Sequence, residues 1–412
     1  MQQTILNNGI KTLVKNNKNT PRIAFVMYSK LNKDEPKAGL YYLMSQLLFQ
    51  GTTNRSSEQL AMDLEENAID ISVEKKADYL RFKVQCLKED IELAMSIFQD
   101  IIENSTFAEY EKEIIKIKGE FAADLDSAKV LAQDNYYRTI FKNHSYGIGR
   151  QEVLDVISSI TKDDLFEAWN EIKSISQKNI VVVGDVNVEK IVDLLNMHLS
   201  SLSVKDVEDV RKEIIPLVEN VVSVVEKEDA NQAQIFQGWQ FPNIYSEDYP
   251  LIILLNTILG SSGLSSRLFL ELREKQGLAY TVRSVWEPFL LGGNFFVYIG
   301  TEPKNIKTSI EGFKIEINKI MTELVGEEEL NSAKMNAIGK RQFYQETNML
   351  EAILKGYYEF LGLGYDYEEK LIERINNVTS EELINVAKKY FSVPTALSVL
   401  APKKYLSEAN LI

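Results

Sequence analysis

The sequence predicts an α+β fold of two homologous halves, each a mostly antiparallel sheet packed by helices. Three observations carry this. The first is an internal repeat. The run Ile157-Ser-Ser-Ile160-Thr161-Lys-Asp-Asp164-Leu165 returns as Ile375-Asn-Asn-Val378-Thr379-Ser-Glu-Glu382-Leu383, 218 residues later (379 − 161). Both copies place Thr-x-x-Asp/Glu ahead of an amphipathic run. In this capping-box pattern the Thr hydroxyl accepts from an orphan helix amide and the carboxylate reaches back. A β-like run follows each, Asn179–Gly184 and Thr395–Leu400. Two boxes, each followed by a strand at nearly one offset, argue for duplication. The second observation is length: 412 residues exceed what one core organises. The third is the interleaving of short apolar strand-like runs with long amphipathic helices.

In chain order, the N-terminus reads as a strand, a turn at Asn7-Asn8-Gly9 and a second strand. Further strands are expected at Arg22–Lys30, Ala68–Glu74, Leu80–Cys86 and Ile180–Gly184. Helices are expected at Gly39–Gln50, Ser57–Asn67, Lys88–Asn104, Tyr110–Leu125, Asp126–Lys142 and Lys162–Glu171. The segment Val204–Val218 is charged and carries Pro216. It separates a helix ending near Leu202 from the strand run Asn220–Glu226, and divides the chain into halves 1–203 and 219–412. The second half repeats the order, with Tyr249–Gly260 standing where Gly39–Gly51 stood. Helices are expected to cover one side of each sheet.

Composition narrows the function. The formal net charge of −14 argues against nucleic-acid binding, because phosphates need Lys and Arg. It permits attraction to basic peptides, although a solvated acidic surface accounts for it equally. No run approaches the roughly 18 uncharged apolar residues of a membrane span. The N-terminus has no apolar signal region, so a cytoplasmic location is expected. Cys86 is the only cysteine, and His144 and His198 are the only histidines. A zinc site of His and Cys alone is therefore nearly excluded. Cys86 ends an apolar strand and reads as a small buried hydrophobe. His144 reads as a turn residue, and His198 as an imidazolium suited to a helix C-terminus.

Two stretches carry a family resemblance. The first is Gly39-Leu-Tyr-Tyr42-Leu-Met-Ser45-Gln46-Leu-Leu-Phe49-Gln-Gly51-Thr52. The second is Gly260-Ser-Ser-Gly263-Leu-Ser-Ser266-Arg267-Leu-Phe269-Leu-Glu-Leu272-Arg273-Glu-Lys-Gln-Gly277-Leu-Ala-Tyr280. Locally the second reads as a Gly/Ser loop, a Ser-capped helix stopped by Gly277 and a strand over Leu278–Val285. Together they resemble the insulinase / mitochondrial-processing-peptidase (pitrilysin-type, inverzincin) family across nearly the whole chain. That family's zinc helix reads H-x-x-E-H, with ligands at i and i+4 and a Glu that activates metal-bound water. Here the glycines and Leu-Phe frame survive, but Tyr42, Ser45 and Gln46 stand at the His, Glu and His positions. The resemblance places Glu120 at the third-ligand position, by counting back from Asn143-His-Ser-Tyr-Gly147. It places Ser72-Val73 at the family's backbone-binding Asn-Ala pair.

The resemblance also implies what remains. Arg273 and Tyr280 match the Arg/Tyr pair that hydrogen-bonds substrate carbonyls and steadies the oxyanion, a role suited to their donors. The implied fold is a clam-like chamber that admits extended peptides. No cofactor is expected in this chain; zinc is expected on a homologous partner subunit that carries the intact motif. The chain is thus expected to be the non-catalytic, substrate-binding member of a heterodimeric zinc endopeptidase. A scaffold subunit and a homodimeric peptide-binding pseudoenzyme are the alternatives.

Overall fold

The computed structural model describes residues 1–205 and 208–412; Asp206 and Val207 of the expected linker lie outside the described residues. In the first half of the chain, β1 (Gln2–Ile5), β2 (Lys11–Asn16) and β3 (Arg22–Lys30) precede α1 (Leu40–Leu47) and α2 (Ser57–Glu66). Then come β4 (Asp70–Lys75), β5 (Tyr79–Leu87), α3 (Ile91–Asn104), α4 (Tyr110–Asp126) and α5 (Ala128–Ile140). The half closes with α6 (Arg150–Val156), α7 (Lys162–Ile175), β6 (Lys178–Gly184) and α8 (Val188–His198). The second half runs β7 (Val221–Glu226), β8 (Ala233–Phe241), α9 (Tyr249–Asn256), β9 (Ala279–Pro288) and β10 (Gly293–Thr301). It continues through α10 (Ile306–Thr322), α11 (Glu327–Gln342), α12 (Asn348–Phe360), α13 (Tyr367–Asn376), α14 (Ser380–Phe391), β11 (Thr395–Ala401) and α15 (Lys403–Glu408).

The strand orders are β1-β2-β6-β3-β5-β4 and β7-β11-β8-β10-β9. Apart from β1 they are the same topology. Each has one parallel pair, β2 with β6 and β7 with β11, and is otherwise antiparallel. The repeated capping boxes are both formed: Thr161 Oγ1 accepts from the Asp164 amide at 3.2 Å, and Thr379 Oγ1 from the Glu382 amide at 3.2 Å. The fold class and the duplication expected from the sequence are therefore observed.

Two compact units form, and each draws on three stretches of chain. The first comprises Met1–Gly119, Val153–Arg211 and Gln342–Glu368; the second comprises Glu120–Glu152, Lys212–Arg341 and Glu369–Ile412. The contiguous halves 1–203 and 219–412 differ from this because each half lends one helix to the other's sheet. Helix α12 packs on β3 and β6, while α5 packs on β8 and β11. Each sheet is consequently covered on both faces rather than one. In the first unit Phe25 of β3 meets Phe98 of α3 on one face. On the other face the Tyr28 hydroxyl donates to the Ile353 carbonyl of α12 at 2.8 Å. Strand β3 is accordingly buried from Ile23 to Ser29, as a strand covered on both faces must be.

Helix α5 docks on the second sheet through consecutive polar contacts. Asn135 Nδ2 donates to Ser223 and Ser398 Oγ at 2.8 and 2.9 Å. The Tyr136 hydroxyl donates to Asn294 Oδ1 at 2.6 Å, and that of Tyr137 to Glu287 Oε2 at 2.5 Å. Asn294 Nδ2 also donates to Glu287 at 3.2 Å. Burial raises the Glu287 carboxyl above the ordinary range, against hydrogen bonds from Tyr137 and Asn294 and the charge of Arg283. The folded state then binds this proton more tightly than the unfolded chain, whose Glu titrates near about 4.3. Stability is therefore lost as pH rises from that value through the folded pKa. Glu287→Gln keeps an acceptor for both donors. It is expected to raise the unfolding temperature at pH 7 by a few degrees, with the gain shrinking towards pH 4, as read by thermal melts across that range.

The histidines and the cysteine are fixed structurally. His144 is buried: its Nδ1 accepts from the Tyr146 amide at 3.1 Å and its Nε2 lies 2.9 Å from the Lys212 carbonyl. The second contact requires the proton on Nε2. His198 lies in the last turn of α8, as expected; burial lowers its pKa against the charges of Glu103 and Glu92, and its Nδ1 lies 2.7 Å from Gln99 Oε1. Burial pushes the Cys86 thiol up to about 12, which leaves it unreactive.

Candidate functional site

The motif positions on α1 lie in the first unit. The helix buries Leu40, Tyr41, Leu43, Met44, Ser45 and Leu47 and leaves Tyr42 and Gln46 half-buried, one turn apart. The Ser45 hydroxyl donates to the Tyr42 carbonyl at 2.7 Å, a bond within the helix. Gln46 Nε2 reaches Ser45 Oγ at 3.4 Å. The Ser45 proton is thus committed to the backbone, and Gln46 spends an amide donor on its neighbour. This donor set does not fit zinc, which takes thiolate, imidazole or carboxylate. Among the described residues no group of three or more His, Cys, Asp or Glu could hold a metal ion. Glu120 sits on the exposed side of α4, in the stretch that belongs to the second unit.

Helix α1 packs beside β4, which is the edge of the first sheet. Ser72 and Val73 pair with Lys83 and Phe82 of β5, so one side of their backbone ladder has no strand partner. The adjacent Glu74 is bound by Lys83 at 2.6 Å and by Arg81. Burial alone would raise its carboxyl, but these hydrogen bonds outweigh it and bring the pKa down to about 2.

Arg273 and Tyr280 lie in the second unit, and the structure brings them together. The helix that carries Arg273 has π-helical geometry over Phe269–Lys275, a form that recurs at functional sites. Its expected Ser cap is absent. The Ser266 hydroxyl instead donates to the Gly263 carbonyl at 2.8 Å, tying the loop to itself. Gly277, at φ +63°, ends the helix in the left-handed region. Arg273 Nη1 donates to the Tyr280 carbonyl at 2.6 Å. Its guanidinium carbon lies 4.6 Å from the ring centres of both Phe269 and Tyr280. The two aromatic rings and the carbonyl hold the guanidinium in place while a third of the side chain stays open, at 32%.

A β-bulge aims Tyr280. Gly300 pairs with Thr281 and Thr301 with Ala279, so Tyr280 is the extra residue on β9. Its ring is 80% exposed. Bulges commonly redirect side chains beside sites in this way. Strand β9 is the edge of its sheet, in the place that β4 occupies in the other.

Sequence profiles of two families match the chain. The one described as "Insulinase (Peptidase family M16)" matches residues 30–151, and that of the "Peptidase M16 inactive domain" matches residues 159–337. The chain belongs to the insulinase (M16) peptidase family. M16 relatives match it almost end to end. An uncharacterized zinc protease of Rickettsia felis is 28% identical over 411 residues, covering 96% of each chain. A Helicobacter pylori protein named "Non-peptidase homolog YmxG" is 24% identical over 376 residues, covering 87% of this chain and 83% of its own length. Among solved structures, the peptidase M16 inactive domain from Pseudomonas fluorescens superposes with a TM-score of 0.88 at 19% identity, covering 98% of each chain. That likeness establishes the fold. No helix among the described residues is long and apolar enough to cross a membrane.

Proposed function

We propose that this chain is the non-catalytic, substrate-binding subunit of a heterodimeric M16 endopeptidase that acts on extended peptides. The observation that carries the reading is the Arg273–Tyr280 pair. A guanidinium is held between two aromatic rings next to an exposed tyrosine, while α1 offers no metal ligands. Arg273 has donors beyond the one spent on the Tyr280 carbonyl. The Tyr280 ring stands in solvent, where its hydroxyl can meet a peptide carbonyl. Such donors favour a carbonyl oxygen that gains negative charge. The partner is a homologous subunit with the intact zinc motif, and the metal chemistry belongs to it. The edge ladder of β4 supports a further contact, since an extended peptide can pair with it through main-chain hydrogen bonds. The test is hydrolysis of an extended peptide by the assembly purified on this chain, with Arg273 intact and replaced.

A further inference from the structure

A second cationic feature lies on the same strand as Tyr280. Arg283 of β9 and Tyr298 of β10 are direct cross-strand partners, and the Arg283 guanidinium carbon lies 5.9 Å from the Tyr298 ring centre. Lys129, in the first turn of α5, places its Nζ 5.1 Å from the same ring. The ring itself is fixed. Its hydroxyl donates to Gln234 Oε1 at 2.7 Å, and Phe236 lies against it at 4.6 Å. Two cations therefore converge on one immobile ring.

Neither cation has a hydrogen bond or ion pair to a carboxylate among the described residues. This is contrary to what the composition offers, since 60 acidic residues outnumber 46 Lys and Arg. The carboxylate on the same face of β9, Glu287, is occupied by Tyr137 and Asn294. Burial, and then the charge of Arg283, lower the Lys129 pKa, so the pair carries a like-charge cost. One cation on a ring is ordinary surface packing. Two, with Arg283 acting on the charge of Glu287 but neither hydrogen-bonded to a carboxylate, form a place that an anion relieves.

Position identifies the anion's source. Arg283 follows Tyr280 by three residues, and three residues of extended chain span about 10 Å. A peptide lying past Arg273 and Tyr280 therefore reaches this pair within a few of its own residues. We propose that Lys129 and Arg283 form a subsite for an acidic side chain of the bound peptide, an Asp or Glu a few residues from the carbonyl that Arg273 and Tyr280 hold. This rests on the peptide-binding reading and adds a substrate class to it: the local charge selects acidic peptides although the chain as a whole is acidic.

The test uses the assembly purified on this chain, with chelator present so that binding is read without turnover. Fluorescent extended peptides carry a single Glu, moved one position at a time, and each has a Gln counterpart. At one position the Glu peptide is expected to bind about tenfold more tightly. The double variant Lys129→Gln/Arg283→Gln is expected to lose that preference with little change for the Gln peptide. Arg283→Lys, which keeps a cation, is expected to retain most of it. Arg273→Ala is expected to weaken both peptides alike. Equal affinities at every position, or a preference that survives the double variant, overturn the acidic subsite and leave the peptide-binding reading standing. Failure of every peptide to bind overturns both.

Discussion

Replacing Arg273 by alanine is expected to lower peptide hydrolysis by the assembly by about a hundredfold or more, the scale seen when one oxyanion donor is removed. The loss should fall mainly on kcat, because the donor matters most when the carbonyl carries most charge. The assembly itself should persist. Arg273 makes its hydrogen bond within its own hairpin, to the Tyr280 carbonyl, and its side chain remains partly open. Arg273→Lys should recover only part of the rate: it restores charge but not the planar fork stacked between Phe269 and Tyr280. Size-exclusion profiles beside steady-state kinetics separate these effects. Full activity in the alanine variant would remove the role assigned to Arg273.

The second large effect concerns stability. Gly238 of β8 lies beneath Tyr136 of α5, and a Cβ at this position would sit 1.8 Å from the Tyr136 hydroxyl and 2.8 Å from the Phe295 carbonyl. Tyr136 cannot easily withdraw. It is fully buried, stacks on Phe236 at 5.7 Å and holds Asn294. Gly238→Ala is expected to cost about 3 kcal/mol, lowering the unfolding temperature of the second unit by about 10 °C. Adding Tyr136→Phe removes the clashing oxygen. The double variant should then be more stable than the sum of the single changes implies, although Asn294 loses its donor. An unchanged melting temperature in Gly238→Ala would contradict this account of how α5 is seated.

What the sequence made legible was local. The capping boxes at Thr161 and Thr379 are read from four residues each, and their offset disclosed the duplication. The loss of metal ligands at Tyr42, Ser45 and Gln46 was equally local. So was the candidate pair, since Arg273 and Tyr280 are seven residues apart on one helix–strand hairpin. The exchange of α5 and α12 was not legible, because either amphipathic helix could satisfy its apolar face on either sheet. One trace of it existed: the unbroken apolar run in Ile23–Tyr28 of β3 departs from the alternation of a strand with one wet face. The bulge that exposes Tyr280 depends on how β9 registers against β10, and the meeting of Lys129, Arg283 and Tyr298 depends on tertiary packing. No residue spacing encodes either. The Ser cap expected for the second helix is likewise not formed; the Ser266 hydroxyl donates to the Gly263 carbonyl within the loop.

The most direct test of the central claim is chelator-sensitive hydrolysis of an extended peptide by the assembly purified on this chain from its native cells, measured beside the chain expressed alone. The account predicts activity in the assembly, its loss on chelation, no activity in the lone chain, and a second homologous subunit bearing H-x-x-E-H. Activity in the lone chain, or an inactive assembly with no such subunit, would contradict it.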